Sequence, residues 1–379
     1  MAVCARARAA PRSATGARKA PRRAREGPQA AAAGAGAGTG AAAAAHGVPT
    51  VDVSALAEGA DAGARARCVA ELRDACATVG FFYAVGHGIA HERSRDTLAV
   101  AARFFALPAE TKRALDYRHS YAFRGYISRG AENTAGVVDE REQVEIGDEA
   151  PAHADPTCVR PYYERLRGPN QWPAEEDCPG FRTELEAFAA DMQALSMRLT
   201  GALAESLGLP ATHFDPLFDE PHTQLKVCHY PALEAVDANA SGVGAHSDSG
   251  FLSLLLQDDA GGLQVQLASG EWIDAPPVEG SFVVNLGEMM QLASGGRLRA
   301  TVHRVVRAPR RARLSVPCVA PCCAPIGAAA RRCVLPAQPY RPTRHAPCAP
   351  SPSSHACPVA PASSDAQRTR APRARSFPP

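Results

Sequence analysis

One stretch decides the fold of this 379-residue chain: Gly244-Ala-His-Ser-Asp-Ser-Gly-Phe-Leu-Ser-Leu-Leu-Leu-Gln-Asp-Asp259. If Ala245–Ser249 is extended, the side chains of His246 and Asp248 project from the same face of the strand. A second imidazole, His303, follows 55 residues after Asp248. Two imidazoles and one carboxylate bind a divalent ion and leave other coordination positions open. The pattern therefore predicts a metal site made of His246, Asp248 and His303.

Short apolar runs separated by turn residues surround this stretch. Such runs are typical of strands, and they lie at Leu225–Tyr230, Phe251–Leu256, Leu263–Leu267, Phe282–Leu286 and Thr301–Val306. Because both ligand segments fall on closely spaced strands, the second half favours a β-barrel or β-sandwich. The first half instead predicts helices with apolar stripes, at Ala60–Val79, His91–Ala106 and Phe181–Leu207, with short strands at Val48–Val53 and Gly80–Val85. We therefore predict a mainly β protein with an α-rich N-terminal part.

A second constellation begins ten residues after His303. Arg313 and Ser315 alternate to the same face of a predicted strand, and a guanidinium fork beside a hydroxyl is a good receptor for a carboxylate. Tyr230 could add a phenolic donor. A 2-oxo acid that chelates the metal needs such an anchor for its far carboxylate. The alternative is that Arg313 is a surface residue in an arginine-rich stretch.

Charge is distributed unevenly along the chain. The formal net charge is +2, but residues 1–50 and 318–379 each carry +7, so residues 51–317 carry −12. Aromatic residues are rare in both tails and the body shows no basic stripe, so we expect no nucleic-acid partner. The sequence contains no run of 18 apolar residues, so no membrane-spanning helix is predicted. We expect a monomer with reduced cysteines, acting on a small molecule.

The N-terminal segment, residues 1–47, is rich in Ala, Arg, Gly and Pro, and cannot bury enough apolar surface to fold alone. Its Arg-rich, acid-poor composition is typical of an organellar transit peptide. A disordered extension and a wrongly chosen start codon are the alternatives. The expected location is the cytoplasm, or a plastid or mitochondrion if the segment is a transit peptide.

Several longer motifs resemble the isopenicillin N synthase-like group of iron/2-oxoglutarate-dependent dioxygenases, over about residues 48–317. They include Gly80-Phe-Phe-Tyr-Ala-Val-Gly-His-Gly, His229-Tyr-Pro, Val284-Asn-Leu-Gly287 and His303-Arg-Val-Val, besides the opening stretch. The resemblance implies a double-stranded β-helix (jelly roll) core flanked by helices. It also implies an Fe(II) centre with 2-oxoglutarate and O2 as co-substrates. In that case iron is bound by His246, Asp248 and His303. The residues implied to bind 2-oxoglutarate are Arg313, Ser315, Tyr230 and Asn285. Glu288 stands where the group commonly has Asp.

The chain is expected to divide into four segments, of which residues 1–47 are the first. Residues 48–170 would form the N-terminal α/β region, and residues 171–317 a helix plus the jelly roll. Residues 318–379 contain 13 prolines in 62 positions, which no helix can run through. That tail suits translation in the wrong frame, a retained intron, or a genuine disordered extension.

The expected activity is hydroxylation of a small organic substrate, with release of succinate and CO2. Two alternatives stay open: an oxidase of the same fold that needs no 2-oxoglutarate, and a catalytically inactive, truncated jelly-roll protein. Arg124, Tyr126 and the acid-rich run Asp139–Glu145 could contact the substrate, although a solvated helix face would explain the acids equally well.

Overall fold

A computed structural model of the chain describes residues 47–218, 223–233, 241–307, 311–319 and 335. The predicted N-terminal segment, residues 1–47, lies outside the described residues apart from Gly47, and so does nearly all of the predicted tail. The described residues all fall within one compact unit.

Strands supply most of the ordered elements. They are β1 (Thr50–Asp52), β2 (Phe81–Val85), β3 (Gly125–Ile127), β4 (Asn133–Thr134), β5 (Val137–Val138), β6 (Glu142–Gly147), β7 (Gln224–Tyr230), β8 (Ser241–His246), β9 (Leu252–Gln257), β10 (Leu263–Gln266), β11 (Trp272–Asp274), β12 (Phe282–Leu286), β13 (His303–Val306) and β14 (Arg313–Val319). The α-helices are α1 (Ala62–Thr78), α2 (His91–Phe105), α3 (Ala109–Ala114), α4 (Phe181–Ser206) and α5 (Glu288–Ala293). Short 3-10 turns occur at Ser54–Leu56, Tyr117–His119, Tyr162–Leu166 and Asp215–Leu217.

Two sheets face each other across the site. Within the described residues, the large sheet has eight strands in the order β1-β2-β12-β9-β14-β7-β6-β3, and the small sheet has four in the order β11-β10-β13-β8. Strands β4 and β5 form a separate hairpin that contacts β8. The pairing of strands is antiparallel except for β1 with β2. This is the jelly-roll arrangement that the sequence predicts.

The large sheet is buried on both faces. In β2, Phe82 and Ala84 join the core on the helix side, whereas Phe81 and Tyr83 join the core between the sheets. This alternation follows from the two-residue period of a strand. In β9 the same period sends Leu252, Leu254 and Leu256 toward the helices. The residues between them therefore face the space between the two sheets, where the site lies.

The helices cover the outer face of the large sheet. Helix α4 contacts both α1 and α2, and its predicted apolar stripe is confirmed as core, since its buried side chains include Leu185, Phe188, Met192, Leu195, Leu199 and Leu203. Asp61 caps α1 by accepting a hydrogen bond from the backbone N–H of Ala64 at 2.8 Å. Within the described residues, no helix combines the length and apolarity needed to cross a membrane.

Three sequence-based expectations differ from the structure. The acid-rich run Asp139–Glu145 is not a solvated helix face, because most of it forms β6, where Glu142 and Glu145 are buried. Strand β8 ends at His246, so the extended segment that was expected to reach Ser249 stops short of Asp248. Strand β14 continues through Val319, two residues into the predicted tail, because Cys318 is buried between β7 and β9.

Candidate metal and co-substrate site

The three predicted ligands meet at one end of the small sheet. His246 is the last residue of β8, and it pairs directly with His303, the first residue of β13. Asp248 lies in the loop after β8, and its Oδ1 is 3.7 Å from Nε2 of each histidine. The ligating atoms of all three residues lie within 4.8 Å of one another. They converge although Asp248 is not on a strand.

Both imidazoles are oriented by the backbone. Nδ1 of His246 lies 2.8 Å from the carbonyl oxygen of Gly244, and Nδ1 of His303 lies 3.2 Å from that of Thr301. A carbonyl only accepts, so each Nδ1 must carry the proton and donate it. The lone pair of each neutral ring is therefore on Nε2, the atom that faces Asp248, as in protein metal sites.

The carboxylate of Asp248 is held from one side only. Its Oδ2 accepts hydrogen bonds from the hydroxyl of Ser253 on β9 and from Nδ2 of Asn285 on β12, the latter at 2.8 Å. Burial works to raise the pKa of Asp248, but the nearby His303 and these two hydrogen bonds hold it below its ordinary value. Oδ1 remains available as a ligand, so Asn285 and Ser253 position the carboxylate.

The loop that carries Asp248 is fixed by the start of α5. The backbone N–H of Glu288 donates to the carbonyl of Asp248 at 2.8 Å, and the Glu288 carboxylate accepts from the hydroxyl of Ser247. A Cβ at Gly287 would lie 2.0 Å from the carbonyl oxygen of Gly250. Only glycine allows this approach, which accounts for the Asn-Leu-Gly motif noted in the sequence.

The predicted carboxylate receptor is also assembled. Arg313 is 2% exposed, and its Nη1 donates to the hydroxyl of Ser315 at 2.7 Å. Its guanidinium lies 5.0 Å from the ring centre of Tyr230, the residue opposite it in the β14–β7 pairing. Nη2 reaches Oε1 of Gln257 at 3.3 Å. The buried Nε has no hydrogen-bond partner, so a donor is left for a ligand.

One cavity of about 110 Å³ joins the triad to this receptor. Its wall includes the three ligands with Asn285, Tyr230, Arg313 and Ser315, together with the apolar side chains Phe81, Val243, Leu255, Leu263 and Val305. Of the expected substrate contacts, Arg124 and Tyr126 do not line it, since Arg124 binds the carbonyls of Ala122 and Leu166 and Tyr126 binds Glu142.

Sequence reasoning missed three polar residues of the cavity: Ser253, Arg141 and Lys226. Ser253 stands inside an apolar run, and its polarity at a position buried on both faces was the available signal. Arg141 belongs to the run Asp139–Glu145, for which substrate contact and a solvated helix face were both open, and the sequence did not single out this arginine. Lys226 gave no signal, because a lysine in a strand is ordinarily solvated.

The donor set fits a divalent iron ion. Burial and the neighbouring His303 lower the pKa of His246, which keeps its imidazole neutral, and Asp248 is held as a carboxylate. Metal ligands must be deprotonated in this way. Two imidazoles and one carboxylate with open positions suit Fe(II), and the unpartnered donor of Arg313 suits a co-substrate carboxylate in the same cavity.

Two family models match the chain. Residues 48–175 match the N-terminal domain described as "non-haem dioxygenase in morphine synthesis", and residues 221–320 match the 2OG-Fe(II) oxygenase superfamily. A 2-oxoglutarate-dependent dioxygenase of Dothideomycetidae sp. (strain 11243) is 40% identical over 253 residues, covering 65% of this chain and 67% of the relative. A 2-oxoglutarate-Fe(II) type oxidoreductase of Emericella nidulans is 38% identical over 269 residues, 68% of this chain and 75% of the relative.

Solved structures give the same comparison. A full-length Neurospora crassa protein in complex with α-ketoglutarate and 5-formyluracil is 30% identical, with a TM-score of 0.62. The match covers 72% of this chain and 84% of that one. The relatives are thus named for 2-oxoglutarate chemistry or solved with that co-substrate bound.

Proposed function

We propose roles for the site residues from the premise that this chain belongs to the 2OG-Fe(II) oxygenase superfamily. It is an Fe(II)- and 2-oxoglutarate-dependent dioxygenase, and it acts on a small-molecule substrate. The role of each residue and the type of oxidation are the proposal. We propose hydroxylation of an unactivated carbon of the substrate.

His246, Asp248 and His303 hold Fe(II). The observation that carries this assignment is the convergence of two Nε2 atoms on Oδ1 of Asp248, at 3.7 Å each, with every other polar atom of the three side chains already engaged. When bound, Fe(II) and 2-oxoglutarate supply oxidation of the substrate by O2, with release of succinate and CO2. The protein contributes fixed ligands and open coordination positions.

Arg313, Ser315 and Tyr230 hold the far carboxylate of 2-oxoglutarate. The guanidinium is buried and has a free Nε, and the Ser315 hydroxyl that accepts from Nη1 can donate its own proton to the carboxylate. Asn285, which was expected to line this pocket, lies in the wall of the cavity, and its amide also donates to Asp248. The apolar side chains of Phe81, Val243 and Val305 exclude water around the reacting carbon.

An anaerobic titration with Fe(II) and 2-oxoglutarate tests these roles. We expect a weak visible charge-transfer band in the wild-type protein and none in His246→Ala. In Arg313→Met, the concentration of 2-oxoglutarate that gives half of the maximal band should rise at least about tenfold, equivalent to 1.4 kcal/mol. Turnover retained in His246→Ala, or an unchanged requirement in Arg313→Met, would refute the assignment.

The two alternatives give different results. An oxidase that needs no 2-oxoglutarate would consume O2 without it and release no succinate, because Arg313 would then hold a carboxylate of the substrate itself. An inactive binding module would give no charge-transfer band although the protein is folded. We favour the 2-oxoglutarate-dependent reaction because the named relatives carry it.

The finer expectations stay proposals: a monomer that works in the cytoplasm on a free metabolite, with residues 48–170 and 171–317 as its two regions. Light scattering of the purified protein tests the first. A C-terminal fluorescent fusion, with and without residues 1–47, tests the compartment.

A further inference from the structure

We propose that Arg141 and Lys226 recognise an uncharged oxygen acceptor of the substrate, so that the substrate class is small neutral carbonyl compounds, such as amides and lactams, and not carboxylates. This inference rests on the proposed function, because it concerns the space beside the metal and 2-oxoglutarate positions. Three cationic side chains line the cavity that contains the metal ligands: Arg141, Lys226 and Arg313. They differ in whether a carboxylate already balances their charge.

Arg313 is the uncompensated cation of the three. Its polar partners, Ser315 and Gln257, are both neutral. Within the described part of the chain, no carboxylate forms an ion pair with it. A buried cation without a counter-charge is strongly unfavourable until an anion binds. Arg313 is therefore the residue that an anionic group will seek.

Arg141 is compensated twice over. Its Nη2 lies 3.2 Å from a carboxylate oxygen of Glu132 and 3.2 Å from one of Asp139, at the base of the β4–β5 hairpin. The side chain of Asp139 is 1% exposed, so that negative charge is poorly screened by water. Yet Nε of Arg141 is buried without a partner, and Nη1 has only the Cys228 thiol at 3.9 Å. Arg141 thus keeps hydrogen-bond donors but presents no net positive charge.

Lys226 is compensated once. Its ammonium lies 3.0 Å from Oε1 of Glu145, whose side chain is fully buried. The Glu145 carboxylate is held in place by the side-chain amides of Gln143 and Gln224, each at 2.8 Å. An ammonium group has three donors, and one ion pair leaves others for the cavity. Lys226 is also a donor without net charge.

The consequence is a selective pocket. A substrate carboxylate beside Arg141 and Lys226 would lie near Glu132, Asp139 and Glu145 in a region that water barely screens, and like charges there are costly. A carbonyl oxygen accepts the same hydrogen bonds and brings no charge, so it escapes that repulsion. The neutralised donors therefore favour a carbonyl over a carboxylate.

Matched pairs of small molecules test the inference directly. The probes are uracil against orotate, nicotinamide against nicotinate and benzamide against benzoate, each titrated anaerobically into the protein loaded with Fe(II) and 2-oxoglutarate. Binding is read from the perturbation of the charge-transfer band. We expect at least one neutral member to bind at least about tenfold more tightly than its acid, equivalent to 1.4 kcal/mol. Tighter binding of the acids, or failure of every neutral probe, overturns the inference.

Variants separate recognition from a general loss of structure. Arg141→Met should weaken the neutral probe at least about tenfold, a loss of 1.4 kcal/mol. Arg73→Met removes a guanidinium that pairs with Asp74 at the surface, and it should leave the affinity unchanged. Glu145→Gln removes the carboxylate that balances the charge of Lys226. The ratio of the two affinities, neutral probe to acid, should therefore fall. If that variant does not fold, Glu132→Gln removes one of the two carboxylates beside Arg141, and the resulting loss of negative charge should reduce the preference in the same direction.

The proposed function fails separately. If the wild-type protein gives no charge-transfer band with Fe(II) and 2-oxoglutarate, the proposed function is wrong, and the inference falls with it. If the band forms but no neutral probe perturbs it, only the inference is wrong.

Discussion

At the scale of single residues, the site depends on which atom of each side chain is already engaged. The two imidazoles donate hydrogen bonds from Nδ1 to backbone carbonyls. One oxygen of Asp248 accepts hydrogen bonds from Ser253 and Asn285. What remains is one free ligand atom per residue. Residues that never touch the metal therefore decide where the ligands point.

Ser253→Ala tests this dependence. Without the hydroxyl, Oδ2 of Asp248 keeps only Asn285 and the carboxylate is free to turn away. We expect Fe(II) or Mn(II) affinity to fall about tenfold to a hundredfold, as is usual when an outer-shell partner is removed. Metal titration measures the effect. Ser281→Ala, whose hydroxyl binds only the carbonyl of Val278, is the control, and equal affinity in the two variants would contradict the prediction.

The ligands could be predicted from sequence, but their supports could not. His-x-Asp is a local pattern, and a third ligand on a later strand completes it. Ser253, by contrast, is separated from Asp248 by a turn, and its pairing depends on how β9 lies against the loop. Arg141 lies in a run of acidic residues, and the sequence does not show which of them it pairs with. Its position in the cavity therefore could not be predicted.

At the scale of elements, β6 is the least predictable strand of the large sheet. It lies between β3 and β7, and Glu142 stands opposite His229. Its carboxylate accepts from Lys112 at 2.8 Å, from the Tyr126 hydroxyl at 2.6 Å and from Nδ1 of His229 at 2.8 Å. These donors come from α3, β3 and β7, so one buried carboxylate joins three elements. Sequence cannot separate such an acid from a solvated one.

Glu142→Gln should destabilise the fold strongly. The amide would leave the 8%-exposed Lys112 as a buried cation without a counter-charge, and breaking such a pair costs about 3–5 kcal/mol. Urea denaturation measures the loss. Glu186→Gln removes the surface partner of Arg182 and should cost no more than about 0.5 kcal/mol. A similar small loss in Glu142→Gln would show that the network contributes little.

The same carboxylate makes stability depend on acid pH. Burial works to raise the pKa of Glu142, but its hydrogen bonds with His229, Lys112 and Tyr126 lower it from 4.5 to about 2. In the unfolded chain the group takes up a proton near pH 4.5, whereas the folded protein does not until about pH 2. Stability from this group is therefore present above pH 4.5 and lost as pH falls toward 2. The difference in unfolding free energy between wild type and Glu142→Gln should shrink over that window, and a constant difference would contradict the assignment.

At the scale of the whole molecule, the sequence predicts the jelly roll well and the first half less well. The strands of the second half are separated by clear turns and were found within a few residues. The first half supplies β1, β2, β3 and β6 to the same large sheet, and of these only β1 and β2 were expected. Strand β3 is only three residues long, and β6 contains just two apolar residues, Val144 and Ile146, among buried acids, so neither gives a clear strand signal.

The site joins the two sheets, and this leads to a prediction about the whole fold. His246 and His303 belong to the small sheet, whereas Ser253 and Asn285, which hold Asp248, belong to the large sheet. A metal bound to all three ligands therefore ties the sheets together and stabilises only the folded state. At a hundredfold excess over its dissociation constant, a ligand adds about 2.7 kcal/mol. Since 1 kcal/mol raises Tm by about 2–4 °C in a domain of 150–250 residues, Mn(II) with 2-oxoglutarate should raise Tm by at least about 5 °C.

Differential scanning fluorimetry measures that shift, with each variant compared with its own ligand-free form. Asp248→Ala should lose it, because the metal would keep only the two histidines of the small sheet. Arg313→Met should keep the part due to Mn(II) alone and lose the further part due to 2-oxoglutarate, since its guanidinium is the proposed anchor of that co-substrate. Arg73→Met, a surface change on α1, should keep both parts. If Asp248→Ala keeps the full increase in Tm, the metal and 2-oxoglutarate must bind at another site. A metal bound between the two sheets would then not contribute to the stability of the fold.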